Sequence, residues 1–301
     1  MSRVLAIVGP TASGKSSLAV AVAQRIGGEI ISTDSMQVYQ GMNIGTATPT
    51  IEERGGVAHH VMDVWPMEHL VTVSEFQVDA RAAIDDVLTR NRVPVVVGGS
   101  GLFVSAVLDD LNFPGTDEQV RARWESELDA VGPAELHARL AEVDPAAAAA
   151  ILPSNGRRIV RALEVIELTG EPFIAEFPDP VDVYPTLRIG LSIPRDVMDE
   201  RIAQRVDAMF AAGFVDEVRA LDAAGLRQAR TASRALGYSQ VLAFLDGELT
   251  MEQAREDIIF ATRRFARRQQ RWFRRDTRIR WIDYDSATAV DEALSLWETS
   301  T

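Results

Sequence analysis

The segment Gly9-Pro10-Thr11-Ala12-Ser13-Gly14-Lys15-Ser16 fits the pattern G-x-x-x-x-G-K-[ST], with a strand-like run at 4–8 before it and a helix-like run at 17–25 after it. A loop so flanked binds phosphate. Its glycines let consecutive backbone N–H groups converge on phosphate oxygens, the start of the helix adds positive potential, and Lys15 brings a mobile full charge. The Ser16 hydroxyl is of the type that ligates magnesium in such loops. Lys15 is also the only lysine in the chain, every other basic side chain except histidine being arginine. A position that keeps lysine against that bias needs a compact ammonium on a flexible stem.

A phosphate loop does not specify its phosphate. A nucleotide hydrolase adds an Asp at the end of a neighbouring buried strand to hold magnesium, whereas the buried run at 93–97 ends in Gly98-Gly99. The carboxylate that does sit at a strand end is Asp34, after the strand-like residues 29–32, on the carboxyl side of the sheet where such folds bind ligands. Two readings of Asp34 stand together: a base toward a substrate proton, or a turn residue that accepts the Met36 N–H.

The elements that must position these groups follow from periodicity and punctuation. Gly27-Gly28 stops the first helix, and residues 34–49 form a long polar loop punctuated by Gly41, Gly45 and Pro49. Ser74 is a cap for a helix running to about Arg90, after which Val95-Val96-Val97 has the β-branched character of a buried parallel strand. Gly98-Gly99-Ser100-Gly101 opens a further helix to about Leu108. Between 112 and 185, Pro114, Pro133, Pro145, Pro153, Pro172, Pro178, Pro180 and Pro185 separate short helical stretches, among them the five-alanine run 146–150. Strand 187–193, helix 196–211, a long helix from about Met251 and a last strand near 278–282 complete the chain. Such alternation predicts an α/β fold: a P-loop NTPase-like parallel sheet flanked by helices, built from residues 1–111 and 186–301, with a mostly helical subdomain inserted at 112–185.

Composition narrows the function. No apolar run approaches the ~20 residues that span a bilayer, and the amino end lacks a signal-peptide pattern, so the expectation is a cytoplasmic protein without a membrane partner. The absence of cysteine excludes disulfides and cysteine-ligated zinc, while magnesium held by oxygen stays open. The net charge is −13, yet residues 263–280 carry nine arginines against Asp276 alone, a local +8 that leaves −21 for the rest. Such a run is either a solvated helix face or a localised phosphate contact.

Beyond the phosphate loop stand Asp-Ser-Met-Gln-Val-Tyr at 34–39, Gly-Met-Asn-Ile-Gly-Thr-Ala at 41–47 and Gly-Gly-Ser-Gly-Leu-Phe at 98–103. After them come Arg-Arg-Ile-Val-Arg-Ala-Leu-Glu-Val at 157–165, Glu-Arg-Ile-Ala-Gln-Arg-Val at 200–206 and Ser-Arg-Ala-Leu-Gly-Tyr at 233–238. In this order, over nearly the whole chain, the motifs resemble the tRNA dimethylallyltransferase family. The resemblance implies transfer of a dimethylallyl group from dimethylallyl diphosphate to N6 of the adenosine 3′ of the anticodon, in tRNAs reading codons that begin with U, with Mg2+. It implies that Gly9 to Ser16 hold the diphosphate, that Ser16 contacts the metal, and that Asp34, Ser100 and Arg205 are catalytic. By the same resemblance Asp34, Ser35, Met36, Gln37, Ser100, Arg121, Arg157, Arg158, Ile159, Val160, Arg161, Arg234, Ala235, Leu236, Gly237, Tyr238 and Ser239 contact the tRNA anticodon stem-loop, and the enzyme is expected to be a monomer.

Each assignment has a plainer rival. Arg157, Arg158 and Arg161 could form a solvated face, Arg201 and Arg205 could pair with acids one turn away, and Tyr238 could be core. Gln40, Asn43 and Thr48 replace the Arg, Asp and Lys usual in the family, and Ser100 replaces a Thr while keeping the hydroxyl. The rival functions are a small-molecule kinase, whose Arg-x-x-x-Arg lid Arg201 and Arg205 imitate, a dimethylallyltransferase acting on free AMP, and a non-catalytic RNA-binding module.

Overall fold

In the computed structural model, which describes residues 3–175 and 179–300, β1 (Val4–Val8) is buried along its whole length. Val4, Ala6 and Val8 point into one apolar cluster, Leu5 and Ile7 into another on the opposite face. A strand buried on both faces belongs at the centre of a parallel sheet, and β1 has a parallel partner on each side. Met1, Ser2 and Pro178, which entered the sequence reading, lie outside the described residues.

From β1 the chain turns into α1 (Lys15–Ile26), then β2 (Gly28–Ser32), the two-residue edge strand β3 (His59–His60), α2 (Val73–Thr89), β4 (Val93–Gly98) and α3 (Gly101–Leu108). The inserted helices are α4 (Glu118–Val143), α5 (Pro145–Ala150) and α6 (Gly156–Thr169). There follow β5 (Thr186–Ser192), α7 (Arg195–Ala211), α8 (Phe214–Ala223), α9 (Tyr238–Leu245), α10 (Met251–Phe273), β6 (Ile279–Asp283) and α11 (Ala289–Thr299). The sheet runs β3-β2-β4-β1-β5-β6, all parallel. Because β2, β4 and β1 are consecutive neighbours, the loops at their carboxyl ends converge. Leu18, Ala19 and Val22 of α1, with Ala293 and Trp297 of α11, cover one face. Residues of α2, α3 and α7 to α10 cover the other. A fully buried Leu or Ile contributes roughly 1.5–3 kcal/mol of apolar burial, so the sheet is a rigid base for those loops.

The chain divides into two compact units, one of residues up to Asp109 and from Asp182 onward, the other Asp110–Val181. The proline-based boundaries at 112 and 185 lie a few residues inside and outside these points. In the second unit Asp117 caps α4, Asp144 caps α5 and Asn155 caps α6, while Gly132 (φ 80°) ahead of Pro133 breaks α4 in two. Leu136, Leu140, Ile159 and Leu163 form its own apolar core.

At the point of departure and return, Asp109 and Asp182 face each other in an antiparallel bridge, and Val183 N–H donates to Leu108 C=O (2.9 Å). Buried Arg188 donates to both carboxylates, at 2.9 Å to Asp109 and 3.0 Å to Asp182. Arg278 does the same at 2.8 and 2.6 Å and also clasps Asp276.

Two local expectations are corrected. The cap of α2 is Thr72 and not Ser74: Glu75 N–H donates to the Thr72 hydroxyl (3.1 Å) while the Glu75 carboxylate accepts the Thr72 N–H (3.1 Å), a reciprocal pair that Ser74 cannot form from within the first turn. The expected elements also lack helices α8, α9 and α11 and strand β3, which are short: ten, eight, eleven and two residues.

Candidate active site

The phosphate loop is shaped by its own backbone. Gly9 (φ 153°), Ala12 (φ 63°) and Gly14 (φ 95°) lie in the left-handed region, and Ser13 N–H closes a turn on Pro10 C=O (3.3 Å). Helix α1 then starts with no side chain capping it and no acid in its first turn, so its N–H groups and positive potential remain available to an anion. Ser13 Oγ is buried and has no hydrogen-bond partner among the described residues.

Cations gather on this loop. Lys15 Nζ donates to Pro10 C=O (3.3 Å), and its pKa is pushed down to about 8, first by burial and then by the charge of Arg205, with Asp34 opposing the shift. Arg205, projecting from α7, donates to Thr11 Oγ1 (3.1 Å); burial and the neighbouring Arg201 lower its pKa while Glu53 raises it. Arg201 itself lies over the Tyr284 ring, 4.7 Å from the centroid. Among the described residues neither arginine forms an ion pair with an acid one turn away. Like charges brought together this way lower one another's stability unless an anion joins them.

A residue missed in the sequence completes this side. Gln269, buried on α10, accepts the Thr11 N–H at its Oε1 (2.9 Å). A Cβ on Gly99 would come within 2.7 Å of Gln269 Nε2 and 3.2 Å of the Gly9 carbonyl, so the absent side chain is what lets α10, the phosphate loop and the end of β4 close on each other. Ser100 follows as the N-cap position of α3, yet its side chain makes no capping bond. The clue in the sequence was periodicity: the apolar stripe of α10 through Ile258, Ala266 and Phe273 passes over Gln269.

Asp34 sits at the end of β2. Its Oδ1 accepts the Met36 N–H (2.9 Å), so the turn reading holds for one oxygen. Oδ2 has no protein donor among the described residues, and the carboxylate is close enough to Lys15 for its charge to raise that pKa. Both readings of Asp34 are therefore compatible. Ser35, Met36 and Gln37 beside it are half-buried. Gln37 donates to the carbonyls of Thr46 and Ala47 (3.3 Å each) and accepts from Ser32 Oγ (2.9 Å).

The remaining expected contacts separate by burial. Arg234 and Ser239 are exposed and Leu236 half-buried, but Ala235, Gly237 and Tyr238 are buried. Tyr238 donates its hydroxyl to Glu217 (2.7 Å). Burial and the Glu217 charge raise the phenol's pKa, and the side chain is fully buried in the apolar core. In the second unit Ile159 and Val160 are likewise core. Arg121 and Arg161 are bound to the buried Glu164 at 3.0 and 2.9 Å, and Arg161 also donates to the carbonyls of Gly115 and Pro114. Their guanidinium groups support that unit's loop before α4. Arg157 and Arg158 are exposed at the start of α6, Arg158 donating to the Ala175 carbonyl.

The arginine run likewise divides. Arg263 and Arg267 are tied to Asp199, and Arg278 to the aspartates at the neck of the insertion. Arg264, Arg268, Arg271, Arg274, Arg275 and Arg280 are exposed, with no acidic partner among the described residues. Arg264, Arg268 and Arg271 follow i, i+4, i+7 spacing and share one face of α10.

No group of three or more His, Cys, Asp or Glu among the described residues could hold a metal ion, and no helix among them is long and apolar enough to cross a membrane.

A family model described as IPP transferase matches residues 37–276. The tRNA dimethylallyltransferase of Thermobifida fusca is 61% identical over 98% of this chain and 94% of its own length, and that of Streptomyces coelicolor 60% identical over 93% and 90%. Among solved structures, a full-length tRNA isopentenylpyrophosphate transferase from Bacillus halodurans is 39% identical with a TM-score of 0.70, covering 99% of this chain and 100% of that one. A eukaryotic dimethylallyltransferase acting on tRNA superposes with a TM-score of 0.79 at 25% identity, over 100% of this chain and 77% of its own.

Proposed function

The chain belongs to the IPP transferase family, and from that premise we propose that it transfers a dimethylallyl group from dimethylallyl diphosphate to N6 of the adenosine 3′ of the anticodon, in tRNAs reading codons that begin with U, releasing diphosphate. The observation that carries the reading is the meeting of three cationic side chains, Lys15, Arg201 and Arg205, with the Asp34 carboxylate at the carboxyl edge of one sheet. Cations suit a departing diphosphate, and a carboxylate with one oxygen unspent suits an amine proton.

In this reading the loop N–H groups, Ser13 Oγ, Lys15 and Arg205 bind the diphosphate, and Ser100 offers its uncommitted hydroxyl. As the allylic C–O bond loosens, negative charge grows on the diphosphate and positive charge on the allyl carbon; fixed cations stabilise the first. Adenine N6 is a weak nucleophile, so Asp34 Oδ2 accepts a hydrogen bond from its N–H and takes the proton as the new C–N bond forms. The acceptor lies in a loop that is already single-stranded, so turning the base out costs only a few kcal/mol. In the sheet unit Arg234 and the arginine face of α10, and in the inserted unit Arg157 and Arg158, each offer exposed positive charge to tRNA phosphates.

The donor set fits magnesium in one respect. Mg2+ commonly keeps several waters and takes few protein ligands beside substrate phosphates, and the Ser16 hydroxyl beside the phosphate loop is a ligand of that kind. Ser16 would hold it together with the diphosphate, and when bound it neutralises charge on the leaving group. The reading places the enzyme in the cytoplasm as a monomer.

The test is incubation with labelled dimethylallyl diphosphate and either tRNA or AMP. Label in tRNA at the adenosine 3′ of the anticodon is expected. Label in AMP alone overturns the acceptor, and ATP-dependent phosphorylation of a small alcohol without label transfer overturns the class.

A further inference from the structure

The loop that carries Asp34 has no helix or strand between the end of β2 and His59, and something outside it must hold it still. Glu217, on α8, does so with one carboxylate. Its Oε2 accepts the N–H groups of Asn43 (3.1 Å) and Ile44 (2.7 Å), and its Oε1 accepts the Gly45 N–H (3.2 Å) and the Tyr238 hydroxyl (2.7 Å). A Cβ on Gly45 would overlap the rings of Phe214 and Tyr238, so the loop can reach the carboxylate only as glycine.

From that clamp hydrogen bonds run on toward Asp34. The next two carbonyls, of Thr46 and Ala47, accept from Gln37 Nε2 (3.3 Å each); Gln37 Oε1 accepts from Ser32 Oγ (2.9 Å); and Ser32 Oγ accepts the Asp34 N–H (3.3 Å). Only an ionised carboxylate meets four donors without presenting one of its own, whereas the amide of a Gln would turn an NH2 group against backbone N–H. Three converging backbone donors on one anion are a nest formed inside the protein.

We propose that Glu217 is a positioning residue for Asp34, holding the acceptor loop by its backbone and fixing the carboxylate through Gln37 and Ser32. The inference rests on the reading of Asp34 as the N6 proton acceptor. It also joins two motifs that stand apart in the sequence, 41–47 and 233–238, into the two sides of one clamp.

The test compares Glu217→Gln, Gln37→Leu and Asp34→Asn in the full-length enzyme. Single-turnover rates are taken at saturating donor and tRNA, with donor Kd and melting temperature in parallel. Glu217→Gln should slow the reaction by about 10–100-fold, the equivalent of one or two charge-assisted hydrogen bonds, and leave donor Kd unchanged. In the Asp34→Asn background the same substitution should cost less than about 3-fold, because the group it positions is already gone. Gln37→Leu breaks the relay while leaving the clamp and should reproduce the rate loss, which keeps the test decisive if Glu217→Gln folds poorly. A full loss in the Asp34→Asn background overturns the proposal, as does a Gln37→Leu enzyme with wild-type rate. A melting-temperature drop accompanied by equal weakening of donor binding does so too, since that is the mark of a merely structural residue. If Asp34→Asn keeps the wild-type rate, the reading of Asp34 falls and takes this inference with it; if only Asp34→Asn is slow, this inference alone falls.

Discussion

In the proposed reading the donor half and the acceptor half of the site follow β1 and β2 at the carboxyl ends of the sheet strands, but they are built in opposite ways. Residues 9–16 are shaped by left-handed backbone at Gly9, Ala12 and Gly14, one strand before and one helix after. Residues 34–49 take their shape from Glu217, a side chain 173 residues away from Ile44. The contrast follows from the ligands. A diphosphate is small, symmetric and strongly charged, so backbone N–H groups and a helix end suffice for it. A base turned out of an RNA loop demands a surface of particular shape, and a loop without regular structure acquires one only from its surroundings.

The sharpest break between the halves is expected from Asp34→Asn. Single-turnover prenylation should fall by roughly 10²–10⁴-fold, the range for a positioned acid–base group, with donor Kd almost unchanged; a near-wild-type rate would leave Asp34 as a turn residue only. A somewhat smaller effect should come from pH. The Lys15 ammonium is present below its depressed pKa of about 8 and lost above it, so kcat/KM for the donor should decline by up to about tenfold per pH unit on the alkaline side. tRNA affinity measured over the same range should stay level. Gln269→Ala removes the acceptor of the Thr11 N–H and should weaken donor binding about 5–10-fold, the worth of one buried hydrogen bond. Equal weakening of tRNA binding would blur the division between the halves. The smallest effect at any one ionic strength belongs to Arg264, Arg268 and Arg271. Changing all three to Gln should flatten the dependence of log K for tRNA on log salt by about 2, at roughly 0.7 per phosphate contact, and leave the donor's salt dependence as it was.

What could be read in the sequence was what depends on near neighbours. The phosphate loop, Asp34 at a strand end and the parallel sense of β1, β2, β4 and β5 all follow from local pattern and punctuation. Glu217 and Gln269 did not stand out, because an acid on an amphipathic helix and a glutamine beside arginines look like solvated surface until the packing is known. Tyr238, Ile159 and Val160 show the opposite limit: the structure buries all three side chains. They belong to motifs shared with a tRNA-modifying family, and a motif does not say whether a side chain faces the ligand or supports the backbone that does. The nine arginines show both outcomes within one segment: Arg267 and Arg278 pair with aspartate carboxylates and Arg263 is bonded to the Asp199 main-chain carbonyl, while their neighbours on the outer face of α10 have no acidic partner among the described residues.

The paired aspartates where the insertion departs and returns have a consequence for how such a chain could be assembled or recut. Since Asp109 and Asp182 are bridge partners held by the same two arginines, the intervening segment is topologically a single appended loop, attached at one point of an otherwise continuous sheet protein. A gene could gain, lose or exchange it without threading the sheet anew. Joining residue 109 to residue 182 by a short glycine-rich turn should therefore yield a chain that loses the helical circular dichroism of α4 to α6 alone and still binds the diphosphate donor. Loss of donor binding by that shortened chain would show instead that the sheet and its appended loop were never separable inventions.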